Sequence, residues 1–180
     1  VGGPCLPVNS YQMLNSAKKL NDSIKLKIIE NARQINESMP AHVIELLSDA
    51  LNEIGKSIKG STIGLLGASY KPNVKDIQLS PIEQIIKKLE VMNAKIKIYD
   101  PYFKSQNIFS HKTEDSFLDS INNTDAAIII TAHNEFHNID PTLFVEKMAS
   151  PVIVDTRGII DVHAAKKAGI IFRGIGRGGV

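Results

Sequence analysis

The chain has 180 residues, of which 43% are hydrophobic and 22% charged, with a formal net charge of +2. This composition excludes a disordered chain and supports one core, or one core with a helical appendage. So small a charge gives no footing for nucleic acid or a membrane surface. No apolar run approaches the roughly 20 residues of a membrane span, and no signal peptide is visible. The single cysteine excludes an internal disulfide and fits a reducing cytoplasm, the expected compartment. No metal site is expected. The chain opens at Val1 on a Gly-Gly turn, a poor start for a domain, so further residues are expected upstream.

Val1-Gly2-Gly3-Pro4-Cys5-Leu6-Pro7 holds two glycines and two prolines and reads as irregular structure. Asn9 and Gln12 have the spacing of a capping box, predicting a helix that starts there. Ile24, Ile28, Ala32, Ile35 and Met39 repeat at helical spacing. A further helix is expected from Pro40, with Val43, Leu47, Ala50, Leu51, Ile54 and Ile58 on one stripe and Gly60 as its stop. Lys18, Lys19, Lys25 and Lys27 read as a solvated helix face. The apolar faces of this helical segment need a partner, either another domain or a second copy.

From residue 61 short apolar runs alternate with helical segments. Strands are expected at 62–67, 95–99, 126–130, 151–154 and 169–172. Ser80-Pro81-Ile82-Glu83 reads as a helix start, with Ser as cap and Glu closing the box, and Asp140-Pro141 opens another. Such alternation predicts an α/β fold with a parallel sheet covered on both faces, whose ligands bind at the carboxyl ends of the strands.

Four strand ends therefore matter. The stretch from Ala68 to Leu79 is longer than the roughly 2–6 residues usual between strand and helix. It carries Tyr70, Lys71 and Asn73 ahead of a helix N-terminus. It reads equally as a phosphate site or as a long solvated surface loop. Asp100 before Pro101 reads as a turn former in preference to a ribose ligand. His133 reads as a helix cap in preference to a ligand contact. Arg157 suits an anion clamp, or a surface salt bridge with Asp155. Gly174-Ile175-Gly176-Arg177-Gly178-Gly179 satisfies G-x-G-x-x-G, but no helix can follow before Val180, so it is rejected as a cofactor fingerprint. Cys5 is either a small buried hydrophobe or a nucleophile, its glycines admitting a substrate and nearby helix N–H groups favouring a thiolate.

Taken in order, these segments resemble one family. Val1-Gly2-Gly3-Pro4-Cys5-Leu6-Pro7 resembles the cysteine motif of UDP-glucose/GDP-mannose dehydrogenases. Asn36 with Met39-Pro40 is similar to that family's central-helix signature. Gly64-Leu65-Leu66-Gly67, Tyr70-Lys71-Pro72-Asn73, Asp76 and Ser80-Pro81 resemble its C-terminal signature, followed by Tyr99-Asp100-Pro101, His133-Asn134-Glu135-Phe136 and Asp155-Thr156-Arg157. Cys-Leu-Pro-Val is most similar to the branch acting on UDP-N-acetylhexosamines. The resemblance implies a helical dimerisation segment followed by a Rossmann-like parallel-sheet domain, divided as residues 1–60 and 61–180. It implies oxidation of a sugar C6 alcohol to a carboxylate in two hydride transfers to NAD, with Cys5 as the thiol nucleophile that carries a thiohemiacetal and then a thioester. It also implies UDP-sugar binding by Tyr70, Lys71 and Arg157, and a homodimer through the helices of residues 9–58.

Two positions depart from the family's pattern. Asn9 stands where an Asp is usual, and Gln78 where an Arg is usual. The resemblance places the NAD-binding domain upstream of Val1, so NAD binds mainly outside these residues and the chain alone is expected not to turn over. The alternative is a non-catalytic UDP-sugar-binding and dimerisation module. A free-standing dinucleotide-binding domain would rest on the rejected glycine motif.

Overall fold

The computed structural model describes residues 1–177. Its first helix, α1, spans Leu6–Leu20, and a long helix, α2, spans Lys27–Glu53. The remainder alternates strand and helix: β1 (Thr62–Leu66), α3 (Ile82–Val91), β2 (Lys95–Tyr99), a small hairpin of β3 (Asn107–Ile108) and β4 (His111–Lys112), α4 (Phe117–Ile121), β5 (Ala126–Ile129), α5 (Thr142–Lys147), β6 (Val152–Asp155), α6 (Val162–Lys167) and β7 (Ile171–Gly174). The five main strands pair in parallel in the order β2-β1-β5-β6-β7. Alternate strand residues face opposite ways. Ile63, Leu65, Ile128, Val152 and Val154 thus pack with Val43, Leu47, Leu51, Ile82, Ile86 and Leu89 from α2 and α3. Their neighbours Leu66, Ile129 and Ile153 pack with Ile121, Phe144 and Ala165 from α4, α5 and α6. The expected α/β architecture, a parallel sheet covered on both faces, is what forms.

Four expectations about helix ends need correction, the first being the stop at Gly60: α2 already ends at Glu53, and Gly55 with its left-handed backbone (φ +70°) follows. Helix α1 starts at Leu6 with Cys5 in the cap position, so Asn9 lies inside the helix, where its N–H donates to the Cys5 carbonyl (2.9 Å). Pro7 falls in the first turn, where a missing N–H costs nothing, and this lets the helix begin earlier than the capping pattern indicates. Pro40 does not begin a helix; α2 runs through it. The proline removes one helical bond, but its ring is buried, and packing offsets the lost bond. Ser80 does not cap α3 through its side chain. Its hydroxyl is buried without a partner, Glu83 N–H bonds the Ser80 carbonyl, and the Glu83 carboxylate is taken by Lys87 one turn on (2.6 Å). The expected opening at Asp140-Pro141 does form, with Thr142 N–H donating to Asp140 Oδ1 (2.9 Å).

The two predicted helical stripes have different fates. Val43, Leu47, Ala50 and Leu51 are buried against the sheet. Ile24, Ile28 and Ile35 remain 41%, 87% and 65% exposed, and Leu6, Tyr11, Met13 and Leu20 on α1 are also uncovered. The chain therefore folds one stripe of α2 into its own core and leaves the other open.

Candidate functional site

Gly3 has a left-handed backbone (φ +87°), and a Cβ there would lie 2.6 Å from the Tyr70 ring. A Cβ at Gly2 would lie 2.6 Å from the Leu79 carbonyl oxygen and 2.8 Å from Pro81. These glycines let the segment before Cys5 lie directly on the β1–α3 connection. On its other side the segment is clasped by Asn36 of α2. Val1 N donates to Asn36 Oδ1 (2.7 Å), and Asn36 Nδ2 donates to the Val1 carbonyl (3.0 Å). Cys5 follows at the N-terminus of α1 with its thiol free and exposed. Helix N–H groups are oriented toward anions there.

The β1–α3 connection is held by a buried polar node. Asp100, at the end of β2, is fully buried. Its Oδ2 accepts from Ala68 N–H (2.7 Å), Ser69 N–H (3.0 Å), the Ser69 hydroxyl (3.1 Å) and His133 Nε2 (3.0 Å), while Oδ1 accepts from Tyr102 N–H (2.9 Å). Burial alone would push the carboxyl up. The His133 ring and the three backbone N–H groups outweigh it and hold Asp100 below the ordinary carboxylate range. His133 is equally buried, and its Nδ1 accepts the Asn73 N–H (3.0 Å). The expected helix-cap role for His133 is not observed: it sits at the cap position of a short 3-10 turn, but its side chain makes no cap bond. Asp100 is a turn former as expected, and in addition joins the loops after β1, β2 and β5.

Arg157 follows β6. The Asp155 carboxylate accepts the N–H groups of Arg157, Gly158 and Ile160, at 2.8, 2.8 and 2.9 Å. It is occupied by backbone, and among the described residues the alternative Asp155–Arg157 ion pair does not form. Instead Arg157 Nε donates to the Ile130 carbonyl at the end of β5 (2.5 Å), which fixes the base of the guanidinium. A cavity of about 200 Å³ is lined by Val1, Asn36, Pro40, Pro81, Thr156 and Arg157.

The structure thus gathers three of the four expected site residues around one short segment: Tyr70 against Gly3, Cys5 two residues on, and Arg157 in the cavity shared with Val1. Lys71 is next to Tyr70 in the same connection and is exposed. Sequence reasoning missed the Asp100–His133–Asn73 node. The available signal was that Asp100 and His133 follow the carboxyl ends of β2 and β5 and Asn73 lies in the long connection after β1.

The residues do not fit a dinucleotide at the point where strand order reverses, between β1 and β5. A Cβ at Gly67 (φ +91°) would meet Thr131 Cβ at 2.5 Å, so the two strand ends touch, and the long connection of residues 67–81 keeps the N-terminus of α3 from opening directly on β1, where a dinucleotide pyrophosphate would sit. In the rejected glycine motif, Gly174 ends β7 and residues 175–176 form a turn; Arg177 donates to the Gly158 carbonyl (2.9 Å), and Gly178 and Gly179 lie outside the described residues.

Residues 64–162 match the UDP-glucose/GDP-mannose dehydrogenase family, UDP binding domain. Over 180 residues the chain is 34% identical to a UDP-N-acetyl-D-mannosamine dehydrogenase of Pyrococcus horikoshii, covering all of this chain and 40% of that protein. It is 30% identical to UDP-glucose 6-dehydrogenase TuaD of Bacillus subtilis, covering 98% of this chain and 38% of that one. The solved structure of the Pyrococcus horikoshii enzyme superposes with a TM-score of 0.87 at 33% identity, over 100% of this chain and 40% of the other. An NDP-N-acetyl-D-galactosaminuronic acid dehydrogenase from Methanosarcina mazei superposes at 0.89 with 26% identity, over 99% of this chain and 39% of the other. The chain therefore spans about 40% of the length of these relatives.

Proposed function

The chain belongs to the UDP-glucose/GDP-mannose dehydrogenase family, and from that premise we propose that it is the C-terminal portion of an enzyme that oxidises the C6 alcohol of a UDP-sugar, a UDP-N-acetylhexosamine, to the uronate. The observation that carries this reading is the contact of the Gly2-Gly3 segment with Tyr70, which brings the Cys5 loop onto the β1–α3 connection. That juxtaposition suits a substrate whose diphosphate lies over the sheet edge while its sugar reaches the thiol. Tyr70 and Lys71 flank the nucleotide, and Arg157, braced on Ile130, meets the diphosphate with a planar fork of donors.

Cys5 is assigned the nucleophile. Its thiolate adds to the C6 aldehyde carbon, forming a C–S bond as the carbonyl oxygen takes a proton. After oxidation to the thioester, water adds to the same carbon, the C–S bond breaks, and the carboxylate and thiol are released. The family implies NAD as the hydride acceptor. The described residues do not fit it, so we assign this chain no hydride-transfer step. The same reading divides the chain at about residue 60 and pairs two copies through the helices of residues 9–58, whose open stripe it would cover.

The test is NAD-linked oxidation by the complete enzyme across UDP-hexoses and UDP-N-acetylhexosamines, with and without Cys5→Ala. Turnover confined to UDP-N-acetylhexosamines and lost in Cys5→Ala is the expected result. Acid formation that survives Cys5→Ala overturns the nucleophile. A second reading, a non-catalytic UDP-sugar-binding module, is favoured by Asn9, which can be neither base nor anion one helical turn from Cys5. Saturable UDP-sugar binding without turnover on any substrate would support it.

A further inference from the structure

We propose that His133 is the positioning residue that sets the Tyr70–Lys71 arch for a nucleoside diphosphate, acting through the backbone of Asn73. The inference rests on the nucleotide-site reading above and adds to it the device that holds the site in shape.

The hydrogen bonds define one arrangement of the ring. Asn73 N–H is a donor, so His133 Nδ1 must accept and carries no proton. The ring proton then sits on Nε2, where it donates to Asp100 Oδ2. A carboxylate only accepts, so Asp100 fixes that tautomer. The His133 side chain is 1% exposed. It packs between Tyr102 and Phe136, with ring centroids 5.3 and 5.6 Å away, and has no room to turn over.

What the ring holds is an unfavourable backbone. Asn73 has φ +59°, in the left-handed region. Besides the His133 bond, it is secured by a reciprocal pair with Asn134: Asn73 Nδ2 donates to Asn134 Oδ1 (2.9 Å), and Asn134 N–H donates to Asn73 Oδ1 (3.0 Å). The other foot of the arch is equally fixed. The Ser69 carbonyl accepts from Thr131 Oγ1 (2.6 Å), and Tyr70 N–H donates to the Asp76 carbonyl (3.0 Å). Tyr70, Lys71 and Pro72 span the distance between two anchored feet, with exposed Lys71 at the ligand edge. Loss of the Asn73 bond frees one foot, so a ligand must then supply the ordering itself.

The test separates the two ring nitrogens in the full chain. An Asn side chain at 133 places its amide oxygen near the position of Nδ1 and keeps the acceptor for Asn73. A Gln side chain places its amide nitrogen near Nε2 and keeps only the donor to Asp100. Amide hydrogen exchange of residues 70–76 without ligand, and calorimetric titration with UDP, are measured on His133→Asn, His133→Gln and His133→Ala beside the native chain. Exchange is expected to rise in the Gln and Ala variants and stay near native in the Asn variant. UDP affinity is expected to fall about tenfold in the first two only, the scale of one buried hydrogen bond to an ordered loop. Should the Ala variant not fold, Asn against Gln carries the comparison. Unchanged exchange in the Gln variant overturns the proposal, as does affinity that merely follows melting temperature across all variants. A native chain that binds no UDP overturns the nucleotide-site reading instead, and the exchange comparison still decides whether His133 holds the arch.

Discussion

Gly3 sits where a side chain is excluded twice, by its φ of +87° and by the Tyr70 ring 2.6 Å from where its Cβ would be. Gly3→Ala is expected to cost about 1–3 kcal/mol, the range for a non-glycine residue held in a disfavoured backbone region. It should also displace Tyr70, so a drop in urea midpoint and weaker UDP-sugar binding are expected together. Cys5 is the opposite case. It is exposed and caps nothing with its side chain, so Cys5→Ala should leave the free energy of unfolding in urea within about 0.5 kcal/mol of native. Rapid labelling of the folded chain by a thiol reagent should confirm its accessibility. Asn9 offers a third test. The first turn of α1 holds no acidic residue, and Asn9→Asp adds a negative charge near the helix N-terminus. A gain of about 0.3–1 kcal/mol in thermal or urea unfolding is expected, diminishing with salt.

At the scale of elements, α2 separates two roles along its length. Its C-terminal half supplies Leu47 and Leu51, both fully buried against the sheet. Leu47→Ala should cost about 2–5 kcal/mol in chemical unfolding. Its N-terminal half presents Ile28 and Ile35 to solvent. The pair Ile28→Glu and Ile35→Glu should leave the fold of one chain intact while abolishing any dimer. Light scattering at high concentration reads this directly: a native dimer and a variant monomer are expected, and a native monomer would remove the helices from the assembly. The linker after α2 is tied down in turn. Lys56 Nζ bonds Asp125 (2.5 Å) and the Ser150 hydroxyl (2.6 Å), joining it to the amino ends of β5 and β6.

The whole molecule carries an acid sensitivity in its carboxylates. Asp100 is held below its ordinary value of 3.8 once burial is outweighed by His133 and backbone N–H groups. Asp125 is also lowered, with burial outweighed by Lys56 and the Thr62 N–H. A depressed folded pKa means that the stability these groups confer is complete above the ordinary value and is lost as the pH falls through the folded one. Urea midpoints should therefore be level from neutral pH to about pH 5 and fall steeply below about 4. Asp100→Asn should shallow that acid limb while lowering stability at pH 7, since an amide cannot accept the same five donors.

Periodicity and punctuation in the chain determined the strands, the parallel α/β architecture and the edge at which function would sit. Those signals are local: a short apolar run marks a buried strand, and a lone thiol after a Gly-Gly-Pro turn marks a candidate nucleophile wherever the chain goes. Helix boundaries were less legible. Pro7 tolerated in a first turn and Pro40 buried inside α2 depend on what packs around each ring, which no window of sequence contains. The stripes of α2 were equally apolar on paper, and only the folded chain decided that one meets the sheet and the other stays open. The same holds for the site. Cys5, Tyr70 and Arg157 were legible as candidates in local context, and only the family resemblance gave each a role. Their gathering around Val1–Gly3, the clasp of Asn36 and the Asp100–His133–Asn73 node join residues some 30 to 150 positions apart. Tertiary structure alone creates those contacts, because burial and the need to satisfy every buried polar group act on neighbours in space, not along the chain.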